Sequence, residues 1–145
     1  PPSSKDKPGL LPTTARGKSL AKAAHTKAVK NGIDARVVPI AVDVDCSLRF
    51  AQSKANCCNT LTRTRGGQGG PWISTKGRRI STDEMLRLQG FRSSEIPWCK
   101  SGVSQTQVGM MIGNSVPVPL VGRVLANVLF SAGLVSSKPV MPISN

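Results

Sequence analysis

The stretch that decides the fold is residues 107–120, QVGMMIGNSVPVPL, in which a Gly-Asn-Ser break separates two apolar segments. The pattern before the break predicts a helix over residues 104–112. Gly113 and Asn114 are expected to end this helix, because both residue types tolerate left-handed backbone geometry. The break has two interpretations: an ordinary corner between two helices with Asn114 as the C-cap, or a set of amides that faces a polar ligand.

After the break, the sequence predicts a further helix over residues 118–133. Pro117 and Pro119 suit its first turn, because a proline there loses no helical hydrogen bond. Apolar residues then follow at the i, i+3, i+4, i+7, i+8 spacing of a core-facing stripe: Val121, Val124, Leu125, Val128 and Leu129. The tail after Leu134 contains prolines and serines and predicts no regular structure.

The clearest local signal upstream is Ser-Thr-Asp-Glu at residues 81–84. It has the form of a capping box, in which the Ser81 hydroxyl accepts from the Glu84 amide and the Glu84 carboxylate accepts from the Ser81 amide. The helix is expected from about Thr82 to Gln89, with Gly90 as the left-handed residue after its end. Ser81 and Glu84 are therefore predicted to be structural residues.

The N-terminal part begins with residues 1–14, whose Pro, Ser and Thr content predicts an extended lead-in without ordered contacts. Residues 15–31 then hold good helix formers, and Gly32 follows as the left-handed C-cap. The buried stripe of this helix is expected at Leu20, Ala24 and Ala28.

Three short strands are predicted between this helix and the capping box. Residues 36–45 are rich in β-branched side chains and predict the first strand. Pro39 is compatible with this strand only if the strand lies at a sheet edge or begins near Pro39. Residues 58–63 and 72–74 are the other two candidates.

The charge of the chain is strongly positive, with 20 Lys and Arg against 7 Asp and Glu, a net +13. Residues 49–80 hold seven basic residues and no acid, and residues 1–36 carry a net +6. Uncompensated charge beside a glycine-rich segment fits a phosphate-backbone partner, because each neutralised phosphate releases counterions. A solvated basic face is the alternative. The sequence shows no basic amphipathic helix with an aromatic edge, which disfavours membrane binding.

Metal binding is not expected. The four cysteines Cys46, Cys57, Cys58 and Cys99 show no Cys-x-x-Cys spacing, and His25 is the only histidine. A structural zinc site would have to use nearly all of them across scattered positions.

No signal peptide and no uninterrupted apolar run of membrane-spanning length are found, since Arg123 and Asn127 interrupt the longest candidate. We expect an intracellular, reduced protein, in the nucleus or the cytoplasm. The start at Pro-Pro-Ser-Ser without methionine suggests a fragment, a processed product or an excised domain.

Three segments in order resemble the C-terminal part of the DNA cytosine-5 methyltransferases. Residues 58–70 resemble the end of the target-recognition region, residues 79–91 the ninth family motif, and residues 107–120 the tenth. The resemblance implies an α+β fold: a small target-recognition domain with few short strands, then C-terminal helices that pack on an absent Rossmann-like catalytic domain. The chain would divide into a lead-in (1–14), a recognition region with the ninth motif (15–100), tenth-motif helices (101–135) and a tail (136–145).

The resemblance also implies site residues. In the family the tenth motif forms part of the S-adenosylmethionine pocket, so Asn114, Ser115 and Val116 would line the cofactor site here. The ninth motif organises the recognition region, and Arg87 would be a buried arginine that binds loop carbonyls or carboxylates. The alternative is an exposed Arg87 paired with Asp83 on the helix surface.

The segment TRTRGGQGG at residues 62–70 resembles a recognition loop that approaches DNA. Glycines let the backbone come close to phosphates, arginines contact phosphates or guanine edges, and glutamine pairs with adenine or enters the space of a flipped base. Arg63, Arg65 and Gln68 are therefore the predicted DNA contacts. A mobile surface loop is the alternative, and the residues leave RNA open beside duplex DNA.

The family reaction needs a cysteine nucleophile in a Pro-Cys motif, and no cysteine of this chain follows a proline. The chain alone is therefore expected to be catalytically silent and to serve a catalytic domain in the same enzyme or a separate subunit. Two other hypotheses are a stand-alone basic nucleic-acid-binding module and an inactive remnant that docks on a protein partner. If the helix after Pro119 is exposed in this chain, the enzyme hypothesis is favoured, because the helix would then pack on a catalytic domain. If the helix is buried, the binding-module hypothesis is favoured.

Overall fold

The computed structural model describes residues 6–51, 53–92, 94–98 and 102–137 of the chain. A long helix comes first, four short strands and a short helix follow, and three helices end the fold. In chain order these are α1 (Ala15–Lys30), β1 (Ile40–Val42), a 3-10 turn (Leu48–Phe50), β2 (Ser53–Ala55), α2 (Arg63–Gly67), β3 (Trp72–Ile73), β4 (Arg78–Arg79), α3 (Thr82–Leu88), α4 (Gln105–Asn114) and α5 (Val118–Ser131). The predicted α+β class is confirmed.

The strands form one antiparallel sheet in the order β2-β1-β3-β4. Ala41 pairs with Lys54 of β2 on one side and with Ile73 of β3 on the other, so β1 is a central strand. Pro39 lies just before β1, as one predicted position allowed, and the sheet-edge alternative is wrong. Its carbonyl accepts from the Asn56 amide at 2.9 Å, which continues the hydrogen bonding between β1 and β2 beyond the strand.

The other strand predictions had mixed outcomes. β3 confirms the candidate at residues 72–74, but the candidate at residues 58–63 is wrong. The strand that pairs with β1 on the side opposite β3 lies earlier in the sequence than this candidate, at Ser53–Ala55. Its residue types have little strand propensity of their own, so the pairing with β1 sets its conformation.

Two apolar clusters lie on opposite faces of β1. The first packs α1 against the sheet and comprises Leu20, Ala24, Ala28, Ala35, Ile40, Val42, Val44 and Cys46. The second joins the sheet to α3 and α4 and comprises Ala41, Ile73, Ile80, Met85, Leu86, Val108 and Ile112. Side chains alternate across a strand, so Ala41 faces one cluster while its two neighbours face the other.

The predicted ends of α1 and α3 are confirmed. Gly32 follows α1 with a φ of 70°, and Gly90 follows α3 with a φ of 83°. The capping box is present: the Glu84 amide donates to the Ser81 hydroxyl at 3.2 Å, and the Ser81 amide donates to the Glu84 carboxylate at 2.7 Å.

The predicted end of α4 is wrong by two residues, because Gly113 and Asn114 belong to the helix and Ser115 follows as its C-cap. Neither residue has a positive φ. Gly113 is needed for space instead, since a Cβ there would lie 2.6 Å from the Arg63 nitrogen.

The expectation of a lead-in without ordered contacts is wrong for residues 6–14. The Lys7 amide donates to the Lys76 carbonyl at 2.7 Å, and the Gly9 amide donates to the Ser74 carbonyl at 3.3 Å. These bonds hold the lead-in along the turn between β3 and β4. Residues 138–145, most of the predicted tail, lie outside the described residues.

By length and composition alone, the stretch Gln105–Ser131 is apolar enough to span a membrane. Composition therefore does not exclude a span, contrary to the expectation from the sequence. In the structure, however, the stretch is broken after Asn114, and the 14 residues of α5 would reach only about 21 Å of the roughly 30 Å hydrocarbon core. Val108 and Ile112 of α4 belong to the second cluster, so this half is a core helix.

Candidate functional site

Helices α2 and α4 cross with their backbones in direct contact. A Cβ on Gly109 would lie 2.6 Å from the Gly66 carbonyl carbon, and a Cβ on Gly66 would lie 2.7 Å from that of Gly109. Gly67 lies against Met110 in the same crossing, since its Cβ would be 2.8 Å from the methionine Cγ. Only glycine fits at the central positions, and the two helices are fixed relative to each other.

This crossing corrects the prediction of a recognition loop. Residues 63–67 form a short helix whose N-cap is Thr62, and the Arg65 amide donates to the Thr62 hydroxyl at 3.4 Å. Glycine is a poor helix former, so local propensity favours a loop; contact with α4 favours the helix instead. Because α4 ends at Asn114, the crossing joins the segment with the predicted DNA contacts to the helix that leads into the predicted cofactor residues.

The three predicted DNA-contact residues lie together on α2 and its C-cap, in different environments. Arg63 is exposed and has no ion pair among the described residues. The Arg65 Nε lies 2.8 Å from an Asp43 carboxylate oxygen, and its side chain is 29% exposed. Arg65 also donates to the Gln68 side-chain oxygen at 2.9 Å, so Asp43 holds Arg65 and Arg65 holds Gln68.

An ion-pair network on β4, which the sequence did not predict, fixes the start of α3. Arg78 binds Asp6 through Nε at 2.8 Å and Glu84 through both terminal nitrogens at 2.9 and 3.1 Å. The Lys76 Nζ lies 2.5 Å from the same Glu84 carboxylate, and Arg79 binds Asp45 at 2.7 Å. The two consecutive arginines and Glu84 of the capping box were the local signal, but the other two acidic partners, Asp6 and Asp45, lie 72 and 34 residues from their arginines in the sequence.

The expected arginine hub is therefore Arg78 rather than Arg87. Arg87 is exposed, and in the described part of the chain it has no ion pair with Asp83. The Asp83 carboxylate instead accepts from the Trp98 indole nitrogen at 3.3 Å. Arg87 thus lies on the surface, as the alternative prediction stated, but it does not pair with Asp83.

The charge state of Glu84 follows from this network. Burial by itself would raise the pKa of Glu84, but hydrogen bonds from Arg78, Lys76 and the Ser81 amide outweigh it. The pKa of Glu84 is therefore held well below its usual range, and the carboxylate stays charged at neutral pH.

The break after α4 exposes polar groups at one point of the surface. Asn114 is exposed, and its side chain has no hydrogen bond to the described residues. The Ser115 hydroxyl donates to the Ile112 carbonyl at 2.7 Å and keeps only its capacity to accept. Val116 is 55% exposed. These polar groups can bind a polar ligand, and Asn114 is more available for this than Ser115.

Gln89 supports this break and was not predicted as a site residue. Its backbone carbonyl accepts from the Val118 amide at 2.8 Å, and its side-chain amide donates to the Ile112 carbonyl at 3.3 Å. Gly90 lies against the α5 start, since a Cβ there would be 3.0 Å from Pro119 Cγ. The end of α3 thus sets the angle at which α5 leaves α4.

The apolar stripe predicted on α5 forms as a helix face but does not face a core within the described residues. Its members are 37–56% exposed: Val121, Val124, Leu125, Val128 and Leu129. Only Ala126 of this helix is buried. Leu120 and Phe130 extend the exposed apolar face toward both ends of the helix.

The cysteines that the structure describes are Cys46, Cys57 and Cys58, and all three are free. No group of three or more His, Cys, Asp or Glu able to hold a metal ion occurs within the described ranges. Cys46 is buried and donates to the Asp43 carbonyl at 3.0 Å. Burial raises the pKa of the Cys58 thiol, which disfavours the thiolate. Cys99 lies outside the described residues.

Comparison with known proteins identifies a family. The sequence model of the family described as C-5 cytosine-specific DNA methylase matches residues 14–129, which run from the N-cap of α1 to the end of the α5 stripe. No curated protein and no solved structure matches the chain.

Proposed function

The chain belongs to the C-5 cytosine-specific DNA methylase family, and we propose that it is the C-terminal portion of a DNA cytosine-5 methyltransferase. In this role it contributes recognition of duplex DNA and one wall of the S-adenosylmethionine pocket. A catalytic domain, in the same chain or as a separate subunit, supplies the nucleophile. The complete enzyme transfers a methyl group to carbon 5 of a cytosine flipped out of the duplex.

The observation that carries this proposal is the exposed apolar face of α5 next to the break at Asn114. Full burial of a large apolar side chain contributes about 1.5–3 kcal/mol, and the stripe residues are still 37–56% exposed. A contiguous apolar patch of this kind marks a surface that packs on another body. A self-contained nucleic-acid-binding module would bury this helix, so its exposure favours the enzyme.

At the cofactor wall, this chain supplies binding groups. The Asn114 amide offers a donor and an acceptor, and the Ser115 hydroxyl offers an acceptor. The bonds from Gln89 to Ile112 and Val118 hold the two helices that carry these groups. When bound, the cofactor supplies the methyl group that is transferred.

At the DNA surface, the environments of the three α2 residues suggest different roles. Arg63 is exposed and suits direct contact with a phosphate or a guanine edge. Gln68 is exposed but oriented by Arg65, which Asp43 in turn holds. We assign direct contact to Arg63 and Gln68, and to Arg65 a contact that Asp43 restrains.

The state of the thiols supports the proposal that the chain alone transfers no methyl group. Attack on cytosine needs a thiolate, which a lowered pKa or an adjacent base provides. The Cys58 pKa is raised and the Cys46 thiol is buried in the first cluster. No cysteine of the chain follows a proline, so the nucleophile is assigned to the catalytic domain.

The direct experiment mixes the full chain with a catalytic half that bears a Pro-Cys motif and measures tritiated methyl transfer to duplex DNA. We expect a gain over the catalytic half alone, and no gain when α5 carries Leu125→Glu. Absence of any gain, with both halves folded by circular dichroism, would refute the split-enzyme role. A protein partner that binds without restoring transfer would favour the inactive remnant.

The cofactor assignment has its own test, Asn114→Ala in the complete enzyme. Loss of one hydrogen bond to the ligand, about 1–1.5 kcal/mol, predicts a Kd for S-adenosylmethionine about tenfold higher by calorimetry. Asn31→Ala, at an exposed asparagine after α1, is the matched control and should leave the Kd unchanged. An unchanged Kd in the Asn114 variant would remove this residue from the pocket.

A further inference from the structure

In the folded protein, the unpaired positive charge is concentrated in a different segment from the one that the sequence composition indicates. At least four of the seven basic residues in the block 49–80 are ion-paired, and the acidic partners of these four come from outside the block. These pairs involve Arg65, Lys76, Arg78 and Arg79. The block with the highest formal charge is thus largely neutralised in the folded protein.

Helix α1 keeps its full charge. It carries five basic residues, all exposed and none ion-paired to any described residue: Arg16, Lys18, Lys22, Lys27 and Lys30. The helix contains no acid. It is therefore the most concentrated unpaired positive surface in the part of the chain that the structure describes.

The basic residues lie on both flanks of the outer face of α1. Successive helical residues turn by about 100°, so the buried stripe around Ala24 places Lys18 and Lys22 on one flank, and Arg16 and Lys27 on the other. Between the flanks lie small residues: Ala15, Ser19, Ala23 and Thr26. The Ser19 and Thr26 hydroxyls donate to their own helix at 3.2 and 3.0 Å, so they lie close to the backbone.

A second element extends one flank. Arg36, in the turn after α1, lines a shallow hollow of about 390 Å³ together with Lys22, His25 and Thr26. The Arg36 side chain is exposed and has no ion pair among the described residues. The positive surface thus continues from the helix into the following loop.

We propose that the outer face of α1 is a second DNA-binding surface, which contacts the phosphate backbone of duplex DNA separately from α2. The choice of duplex DNA as the polyanion rests on the proposed function. Small side chains between two cationic flanks allow close approach to a phosphate backbone. An anionic membrane fits less well, because Val29 is the single large apolar side chain exposed on this helix.

The inference predicts a salt signature. Each phosphate neutralised by lysine or arginine contributes about 0.9 to the slope of log K against log salt concentration. Replacing Lys18, Lys22 and Lys27 together by glutamine should therefore reduce that slope by about 2 to 3. Loss of these exposed, unpaired side chains should not alter the fold.

The experiment measures binding of the full chain to a fluorescent duplex by anisotropy between about 50 and 200 mM salt, the range in which phosphate contacts dominate the affinity. The variant carries Lys18→Gln, Lys22→Gln and Lys27→Gln. The charge-matched control carries Lys54→Gln, Arg87→Gln and Arg123→Gln, all exposed positions without an ion pair to any described residue. We expect the larger loss of slope in the α1 variant and near wild-type slope in the control.

Equal slopes for the two triple variants would overturn the inference, as would no binding of duplex DNA at the lowest salt. Equal affinity for vesicles containing anionic lipid, lost in the same variant, would assign the surface to a membrane and also overturn it. Lysine acetylation gives a second measurement: duplex DNA should protect Lys18 and Lys22, and Lys54 should stay reactive.

The outcome is separable from the proposed function. If the α1 variant loses its salt slope while the mixing experiment shows no methyl transfer, α1 binds DNA and the split-enzyme role fails. If methyl transfer is restored and the slope is unchanged, the enzyme role stands and the α1 surface fails.

Discussion

Replacement of Gly109 by alanine tests the backbone contact between α2 and α4. The added Cβ would lie 2.6 Å from the Gly66 carbonyl carbon and 3.2 Å from the Gly67 nitrogen. Carbon atoms in contact lie about 3.5–4.0 Å apart, so α4 must move by about 1 Å or α2 must unwind. Both neighbours are backbone atoms and cannot change rotamer to make room.

Overpacking of this kind costs about 1–3 kcal/mol, and the rigid neighbours place Gly109→Ala at the upper end. Alanine returns about 1 kcal/mol through its higher helix propensity. The free energy of unfolding should therefore fall by about 2 kcal/mol, which lowers the Tm by about 4–8 °C in a protein of this size.

Urea unfolding followed by circular dichroism measures this change, with an unchanged m value as the sign of a two-state comparison. Thr106→Ala, at an exposed position of the same helix, is the control and should stay within about 0.5 kcal/mol of wild type. A Gly109→Ala protein as stable as the wild type would show that the helices do not cross this closely.

Three further results are expected. Because the folded-state pKa of Glu84 is lowered, the unfolded state binds more protons in acid, so the free energy of unfolding should fall as pH drops below about 4.3. Glu84→Gln should flatten that dependence in urea titrations, and an unchanged slope would contradict the ion pairs of Glu84. Arg65→Gln should cost up to about 1 kcal/mol, and a double-mutant cycle with Asp43→Asn should show coupling; strict additivity would count against the pair. Leu125→Glu should leave the unfolding free energy of this chain within about 0.5 kcal/mol, whereas a loss of several kcal/mol would mean that α5 packs within the chain.

The sequence predicted the elements whose signals are local. The capping box at Ser81 and Glu84, and the glycines after α1 and α3, define helix ends through residues within one turn of each other. The family resemblance, confirmed by the match over residues 14–129, likewise rests on contiguous motifs.

The elements that depend on distant partners were predicted wrongly or not at all. A glycine pair predicts a loop at residues 66–67, and only the contact with Gly109 explains why the chain is helical there. Glycine is a residue type typical of a helix end, but Gly113 lies within α4 and allows this helix to approach α2 closely. The Arg78 hub depends on Asp6, which lies 72 residues earlier, a separation that no local pattern reveals.

The site residues divide in the same way. Asn114 and Arg63 are exposed, as a ligand-binding role requires, while Arg65 is partly committed to Asp43. Sequence reasoning located these positions through the resemblance, and their roles stay predictions. Gln89 could not have been found this way, since its importance comes from bonds to two other helices.

The central strand β1 has a consequence for how the protein opens. Its Ile40 and Val42 belong to the cluster beneath α1, and its Ala41 belongs to the cluster beneath α3 and α4. Detaching β1 from either cluster therefore also removes β1 residues from the other cluster. Amide hydrogen exchange in β1 should therefore occur only through global unfolding, and the protection factors of its amides should report the stability of the entire fold.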